Sequence, residues 1–115
     1  MWLLTAYVIE KLAPLKGKKV NENEWELSIE DLIDFIFSKL WKEVGVVLND
    51  SVEELEGELR FLAKLNFIGM DGGVIITKDK LSKIAEHIEY DPMREQIPLW
   101  NEYIERINTA LPRGS

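Results

Sequence analysis

Residues 51–88 read SVEELEGELRFLAKLNFIGMDGGVIITKDKLSKIAEHI and carry the strongest secondary-structure signals of the chain. Ser51 and Glu54 form a capping-box pattern, which is typical of the first turn of a helix. This spacing predicts a helix over 52–66 with one buried face, because apolar residues recur at steps of three and four. Those apolar residues are Val52, Leu55, Leu59, Leu62 and Leu65.

A β-hairpin is predicted directly after this helix. Two short apolar runs, 67–70 and 74–77, flank the turn Asp71-Gly72-Gly73. Glycine adopts the positive φ angles of a tight turn at no steric cost, so these residues favour a hairpin. Thr77 or Asp79 then caps a further helix, since both residue types accept hydrogen bonds from the first turn.

The chain before residue 51 is predicted to be mostly helical. A first helix covers residues 2–12, and Pro14 and Gly17 end it. Residues 15–27 form a loop anchored by Trp25 and Leu27, with a short strand at these two residues as the alternative.

A second helix is the clearest in the chain. Ser28 is its N-cap, the apolar stripe runs over 29–44, and Gly45 closes it. A last helix covers 98–110. The predicted fold class is therefore mainly α with a small antiparallel hairpin as a two-stranded sheet, flanked by N- and C-terminal helices.

Length and composition indicate one soluble domain. The chain has 115 residues, which fits a single domain over 1–110. The final Leu-Pro-Arg-Gly-Ser, residues 111–115, is interpreted as the remnant of an expression tag. No cysteine is present, which excludes disulfides, thiolate metal sites and a cysteine nucleophile.

The location is predicted to be cytoplasmic, with no membrane partner. The apolar N-terminal run lacks a preceding basic segment, Thr5 and Glu10 interrupt it, and it is too short to span a bilayer. A single glutamine among many Glu, Lys and Ile residues is typical of thermophilic proteins, whereas the six asparagines are not.

The stretch 51–88 resembles the core of winged helix-turn-helix proteins, such as the MarR-like and PadR-like transcriptional regulators. The matching positions are Leu59, Leu62, Leu65, Phe67, Ile68, Asp71-Gly72-Gly73, Ile75, Ile76 and Thr77. The resemblance implies a dimeric DNA-binding regulator, in which 52–66 is the recognition helix and the hairpin is the wing. The cations available to contact double-stranded DNA are Arg60, Lys64, Lys78, Lys80, Lys83, Lys16, Lys18 and Lys19.

The charge pattern favours a second interpretation. The net charge is −7, and DNA-binding domains usually carry a basic surface. The outward side of helix 52–66 begins with Glu53, Glu54 and Glu56, which complement the helix dipole but repel phosphates. Glu56 is also spaced to pair with Arg60. The alternative function is therefore a protein-interaction module, as an adaptor or subunit of transcription or replication machinery.

The last helix carries a heptad-like seam with two possible roles. The seam consists of Ile97, Trp100, Ile104, Ile107 and Leu111. It either packs on its own domain or builds a homodimer with the first helix. The dimer interface would comprise Trp2, Leu3, Trp100, Tyr103, Ile104 and Ile107.

No pattern in the sequence predicts catalysis. His87 is the sole histidine and lies between Glu86 and Glu89 on a predicted helix. Such a residue is more typical of a surface than of a metal site or a general base. Gly72-Gly73 precedes a strand rather than a helix, so it is not a phosphate-binding loop. The chain is predicted not to be an enzyme and to use no metal or cofactor.

Overall fold

The computed structural model describes residues 2–90 and 98–112. The elements are α1 (Trp2–Lys16), β1 (Lys18–Asn21), β2 (Glu24–Ser28), α2 (Ile29–Asp34), a π-helical stretch (Phe35–Trp41), α3 (Lys42–Val44), α4 (Val52–Lys64), β3 (Ile68–Asp71), β4 (Val74–Thr77), α5 (Asp79–Tyr90) and α6 (Pro98–Ala110). The described chain is thus mainly helical with a small antiparallel sheet, as the sequence predicts. None of these helices combines the length and the apolar character that crossing a bilayer requires.

Helix α1 is the centre of the core. Every residue from 4 to 9 is inaccessible to solvent. The helix continues beyond its predicted end at residue 12, with Pro14 inside its final turn. Proline in this turn removes only its own backbone N–H donor, and Gly17 N still donates to Ala13 O at 2.7 Å. A proline near the end of a helix therefore did not stop it.

The sheet has four strands in the order β1-β2-β4-β3, all antiparallel. The prediction of a two-stranded sheet with a loop over 15–27 is wrong, whereas the alternative strand at Trp25 and Leu27 is confirmed by β2. Strand β1 is exposed throughout and has no apolar alternation. It forms by pairing with β2, which in turn pairs with β4, so no local pattern could reveal it.

The helical stretch over 29–44 is confirmed at both ends. Ser28 Oγ accepts a hydrogen bond from Asp31 N at 3.0 Å, and Gly45 closes the stretch with a φ of 72°. Its middle, Phe35–Trp41, is π-helical, which the apolar spacing did not predict. Arg106 of α6 donates to the carbonyl of Val44 at 3.2 Å and satisfies this helix end.

The core joins α1 and α4 to one face of the sheet, while α5 packs on α1 and α6 packs on the π-helical stretch and α3. Leu27 of β2 and Ile75 of β4 are paired across the sheet and completely buried. Helix α4 buries Leu55, Leu59 and Leu62 against this core. The opposite side of α4 is left for solvent.

Candidate interaction surface

Helix α4 begins with a capping box, as the sequence predicts. Ser51 Oγ accepts from Glu54 N at 3.1 Å, and the Glu54 carboxylate accepts from Asp50 N at 3.1 Å. The first bond satisfies a donor that the first helical turn leaves open, and the second holds the residue just before the N-cap. The start of α4 is therefore fixed, which fixes the direction of the side chains that follow.

The outward side of α4 follows from its buried leucines. At 100° per residue, Glu53, Gly57, Arg60 and Lys64 lie opposite the leucines of the core. The three charged residues are exposed, and Gly57 is half-buried. Glu56 lies on one flank of this stripe.

The other flank of α4 turns toward α1. Phe61 there is 41% exposed, although its ring packs edge-on against Trp2 with 5.2 Å between centroids. Trp2 also contacts Phe67 at 6.0 Å. Phe61 is thus a fixed aromatic side chain at the border of the outward stripe.

The β3–β4 hairpin projects beside α4. Asn66, with a φ of 64°, ends the helix and turns the chain into β3. Gly72 and Gly73 have φ angles of 52° and 85°, so the predicted glycine turn is confirmed. Gly73 O accepts from Ile29 N at 3.0 Å, which attaches the hairpin tip to the start of α2.

An open cleft of about 550 Å³ lies between α4, the hairpin and the start of α2. It is lined by Ser28, Ile29, Glu30, Glu56, Arg60, Met70, Gly72 and Gly73. We call this cleft, together with the outward side of α4, the α4–hairpin surface.

The α4–hairpin surface is predominantly acidic. Glu30, Glu53, Glu56 and Asp71 are exposed on or beside it, against the cations Arg60 and Lys64. The ion pairs between described residues do not include one between Glu56 and Arg60. The predicted ion pair between Glu56 and Arg60 is therefore not formed, and the Glu56 carboxylate is not neutralised within α4.

The lysines that follow the hairpin are engaged by neighbouring groups. Lys78 Nζ lies 3.6 Å from a Glu24 carboxylate oxygen, and Lys83 Nζ lies 3.4 Å from Asp79. Lys80 Nζ donates to Leu65 O at 2.8 Å and lies over an aromatic ring. These three residues reinforce the end of α4, the sheet and the start of α5.

The lysines of the first loop do not merge with that group. Lys18 of β1 lies opposite Glu26 of β2 in the strand register. Glu24 lies on the same face of β2 as Glu26 and forms the ion pair with Lys78. Lys19 lies on β1 as well, at the edge of the sheet. The two predicted basic groups are thus separated by the glutamates of β2.

Lys16 lies elsewhere, in a second cleft at the end of α1. This cleft has a volume of about 210 Å³ and is lined by Leu12, Lys16, Asp31, Asp34, Phe35, Lys39, Ala110 and Pro112. Cations and carboxylates are mixed there, so Lys16 does not extend a basic surface.

The predicted dimer residues divide into two groups. Ile104 and Ile107 are completely buried in the core of the chain itself, so the structure does not offer them to a second copy. Trp2, Leu3, Trp100 and Tyr103 are partly buried and pack against the same core. The seam on α6 therefore packs on its own domain, and its residue Ile97 lies outside the described residues.

Two groups of hydrogen-bonded polar side chains inside the fold were not predicted from the sequence. Glu58 Oε1 accepts from Thr5 Oγ1 at 2.6 Å and from Asn49 Nδ2 at 2.7 Å. Tyr7, completely buried, donates to Glu89 Oε2 at 2.8 Å. Polar residues within apolar runs were the available signal, but their partners are distant in sequence.

The structure gives no cluster of metal ligands within residues 2–90 and 98–112. His87 is exposed on α5. Comparisons with protein-family models, curated proteins and solved structures gave no match for this chain.

Proposed function

We propose that the chain is a winged-helix domain whose α4–hairpin surface binds another protein. The winged-helix assignment is supported by a capped helix that leads into a hairpin with a glycine turn. It is also supported by the pairing of β2, which follows the first helix, with β4 of that hairpin. In this arrangement α4 takes the position of a recognition helix and the hairpin that of a wing.

The charge of the α4–hairpin surface is the observation that carries the functional proposal. A DNA-binding surface gains most of its affinity by neutralising phosphates with Lys and Arg. Here Glu53 and Glu56 occupy the first turns of α4, where a recognition helix approaches base edges. The carboxylates of these two residues would repel the DNA phosphates, and the net charge of −7 adds to the repulsion.

Exposed apolar side chains on the same surface support a protein partner. Phe61 is 41% exposed on the flank of α4 that turns toward α1, and Met70 of β3, which is 42% exposed, lines the cleft on the other flank. Aromatic residues and methionine are enriched in protein–protein interfaces. An acidic surface with two apolar borders fits a protein partner better than a duplex.

DNA binding by a dimeric regulator is the second candidate. Arg60 favours it, because its side chain lines the cleft between α4 and the hairpin without an ion-pair partner among the described residues. Lys64 is exposed one turn later on the same side. These two cations would have to outweigh the carboxylates around them.

Photo-cross-linking tests the proposal. A benzophenone amino acid in place of Met70 should capture a protein in cells of the source organism, giving an adduct that protease removes and nuclease leaves intact. The same amino acid in place of Glu105, exposed on α6, is the control. A nuclease-sensitive adduct at Met70 would replace the proposal by the DNA-binding candidate.

A further inference from the structure

Gly57 is unusual because nothing within the described chain requires glycine there. It lies in the interior of α4, and its φ is not positive. A Cβ built at this position would meet only Arg60 Nη2, at 3.9 Å, which is ordinary van der Waals contact. Glycine weakens a helix relative to alanine, so this position sacrifices stability without an internal reason.

The surroundings of Gly57 define what could approach it. Glu53 and Glu56 precede it and Arg60 follows it on the outward side of α4. Without a side chain at 57, a strip of helix backbone is open to close approach by another element. Phe61 and Met70 border this strip on its two sides.

The charges around the strip select the kind of partner. Among the ion pairs of the described residues, none involves Glu53 or Glu56. A partner with cations at these two points would be electrostatically complementary to them, and one with carboxylates there would be repelled. The two exposed cations farther along this side of α4 favour carboxylates or apolar groups over its last turns. Apolar side chains of the same partner would cover Phe61 and Met70.

We infer that a lysine- or arginine-rich amphipathic segment of a partner protein crosses α4 at Gly57. This inference rests on the proposed function and adds the chemistry and the crossing point of the partner. Cations of the segment contact Glu53 and Glu56, and its backbone passes over the glycine. The crossing is close because no β-carbon holds the two elements apart.

The probe is a synthetic amphipathic helix of leucine and lysine, about 18 residues or five turns long. A matched peptide has glutamate in place of every lysine. We expect the lysine peptide to shift the amide NMR signals of residues 53–64 in the ¹⁵N-labelled chain, with an affinity that falls as salt rises. The glutamate peptide should leave these signals unchanged.

Two variants locate the contact. Gly57→Ala should raise Tm by about 4 °C, because alanine strengthens the helix. The same substitution should lower the affinity for the lysine peptide about fivefold. Glu53→Gln combined with Glu56→Gln should weaken it about tenfold at low salt. Glu105→Gln, a charge change on α6, is the control and should leave the affinity unchanged.

The outcomes separate this inference from the proposed function. The inference would be overturned if Glu105→Gln lowered the affinity for the lysine peptide as much as the α4 variants do, or if Gly57→Ala left it unaltered. Either result would leave the proposal of a protein-binding surface intact. Binding of the glutamate peptide to the α4–hairpin surface would do the same. Binding of a DNA duplex to this surface in place of either peptide would overturn both.

Discussion

The carboxylate of Glu10 lies on α1 with Oε2 shielded from solvent and without a hydrogen-bond partner in the described chain. Burial raises the pKa of Glu10 from its ordinary value of 4.5 to about 7. The neighbouring Lys11 lowers this pKa, and Asp79 at the start of α5 raises it further. Between pH 4.5 and about 7, the folded chain therefore holds a proton on Glu10 that the unfolded chain releases.

Glu10 should make stability depend on pH. As pH rises from 4.5 to about 7, the unfolded state ionises first, so the free energy of unfolding falls, and the loss is complete above about 7. We expect Glu10→Gln to raise Tm at pH 8 by about 3 °C, a figure reduced for partial solvent screening. At pH 4 the variant should give no gain. Thermal unfolding at both pH values checks this, and an equal gain at both would contradict it.

Glu58 is the acceptor on which two buried donors depend. Thr5 and Asn49 are inaccessible, and both donate to Glu58 Oε1. We expect Glu58→Ala to lower the free energy of unfolding by about 3 kcal/mol, because both donors lose their acceptor. Glu58→Gln keeps an acceptor and should cost about 1 kcal/mol. Urea unfolding measures the free energy of unfolding of both variants. Equal losses in the two would show that the hydrogen bonds accepted at this position do not contribute to stability.

At the scale of elements, Glu89 joins α1 to α5. Its carboxylate accepts from Tyr7 at 2.8 Å and from Lys11 at 3.2 Å. Burial alone would raise the pKa of Glu89, but hydrogen bonds from Tyr7, Tyr90 and Lys11 outweigh it and hold the pKa below its ordinary value. The ionised form is thus the one that the packed helices stabilise.

The contact between α1 and α5 should weaken in acid. A depressed folded-state pKa adds stability that is present above the ordinary value of 4.5 and is lost as pH falls through the folded-state pKa. We expect Glu89→Gln to cost about 1 kcal/mol at pH 7 and much less at pH 3. Glu86→Gln, exposed on the same helix, is the control for urea unfolding at both pH values. A loss that does not change with pH would contradict this role.

Elements with a local pattern were predictable, and those made by distant pairing were not. The capping residues of α4 and the glycine turn predicted that helix and the hairpin within one or two residues. Strand β1 has no pattern of its own, because its four residues are all exposed and depend on β2. Pro14 misled the prediction of the end of α1, since its missing donor falls in the last turn.

At the scale of the molecule, the buried seam of α6 bears on assembly. Ile104 and Ile107 fill the core of the chain itself, so a dimer through this seam would first have to open the fold. We expect light scattering to give the mass of a single chain up to about 100 μM, because exposed apolar area drives association and the two isoleucines at the centre of this seam are buried. A dimer that dissociates on dilution would contradict this.

The candidate surface was only partly predictable from the sequence. The carboxylates of α4 and the outward position of Arg60 follow from helical spacing alone. The cleft does not, because it requires the hairpin tip to reach the start of α2 through the bond from Ile29 to Gly73. The separation of the lysine groups by Glu24 and Glu26 also depends on the pairing of β2 with both neighbours.

A titration of fluorescent duplex DNA at about 50 mM salt distinguishes a protein-binding from a DNA-binding α4–hairpin surface, because phosphate contacts are strongest at low ionic strength. We expect no change in anisotropy for random or selected duplexes up to about 100 μM of the chain, a concentration above the non-specific dissociation constants of DNA-binding proteins at low salt. A saturable rise that salt abolishes and Arg60→Ala weakens would contradict it, and would make the α4–hairpin surface a DNA-binding surface.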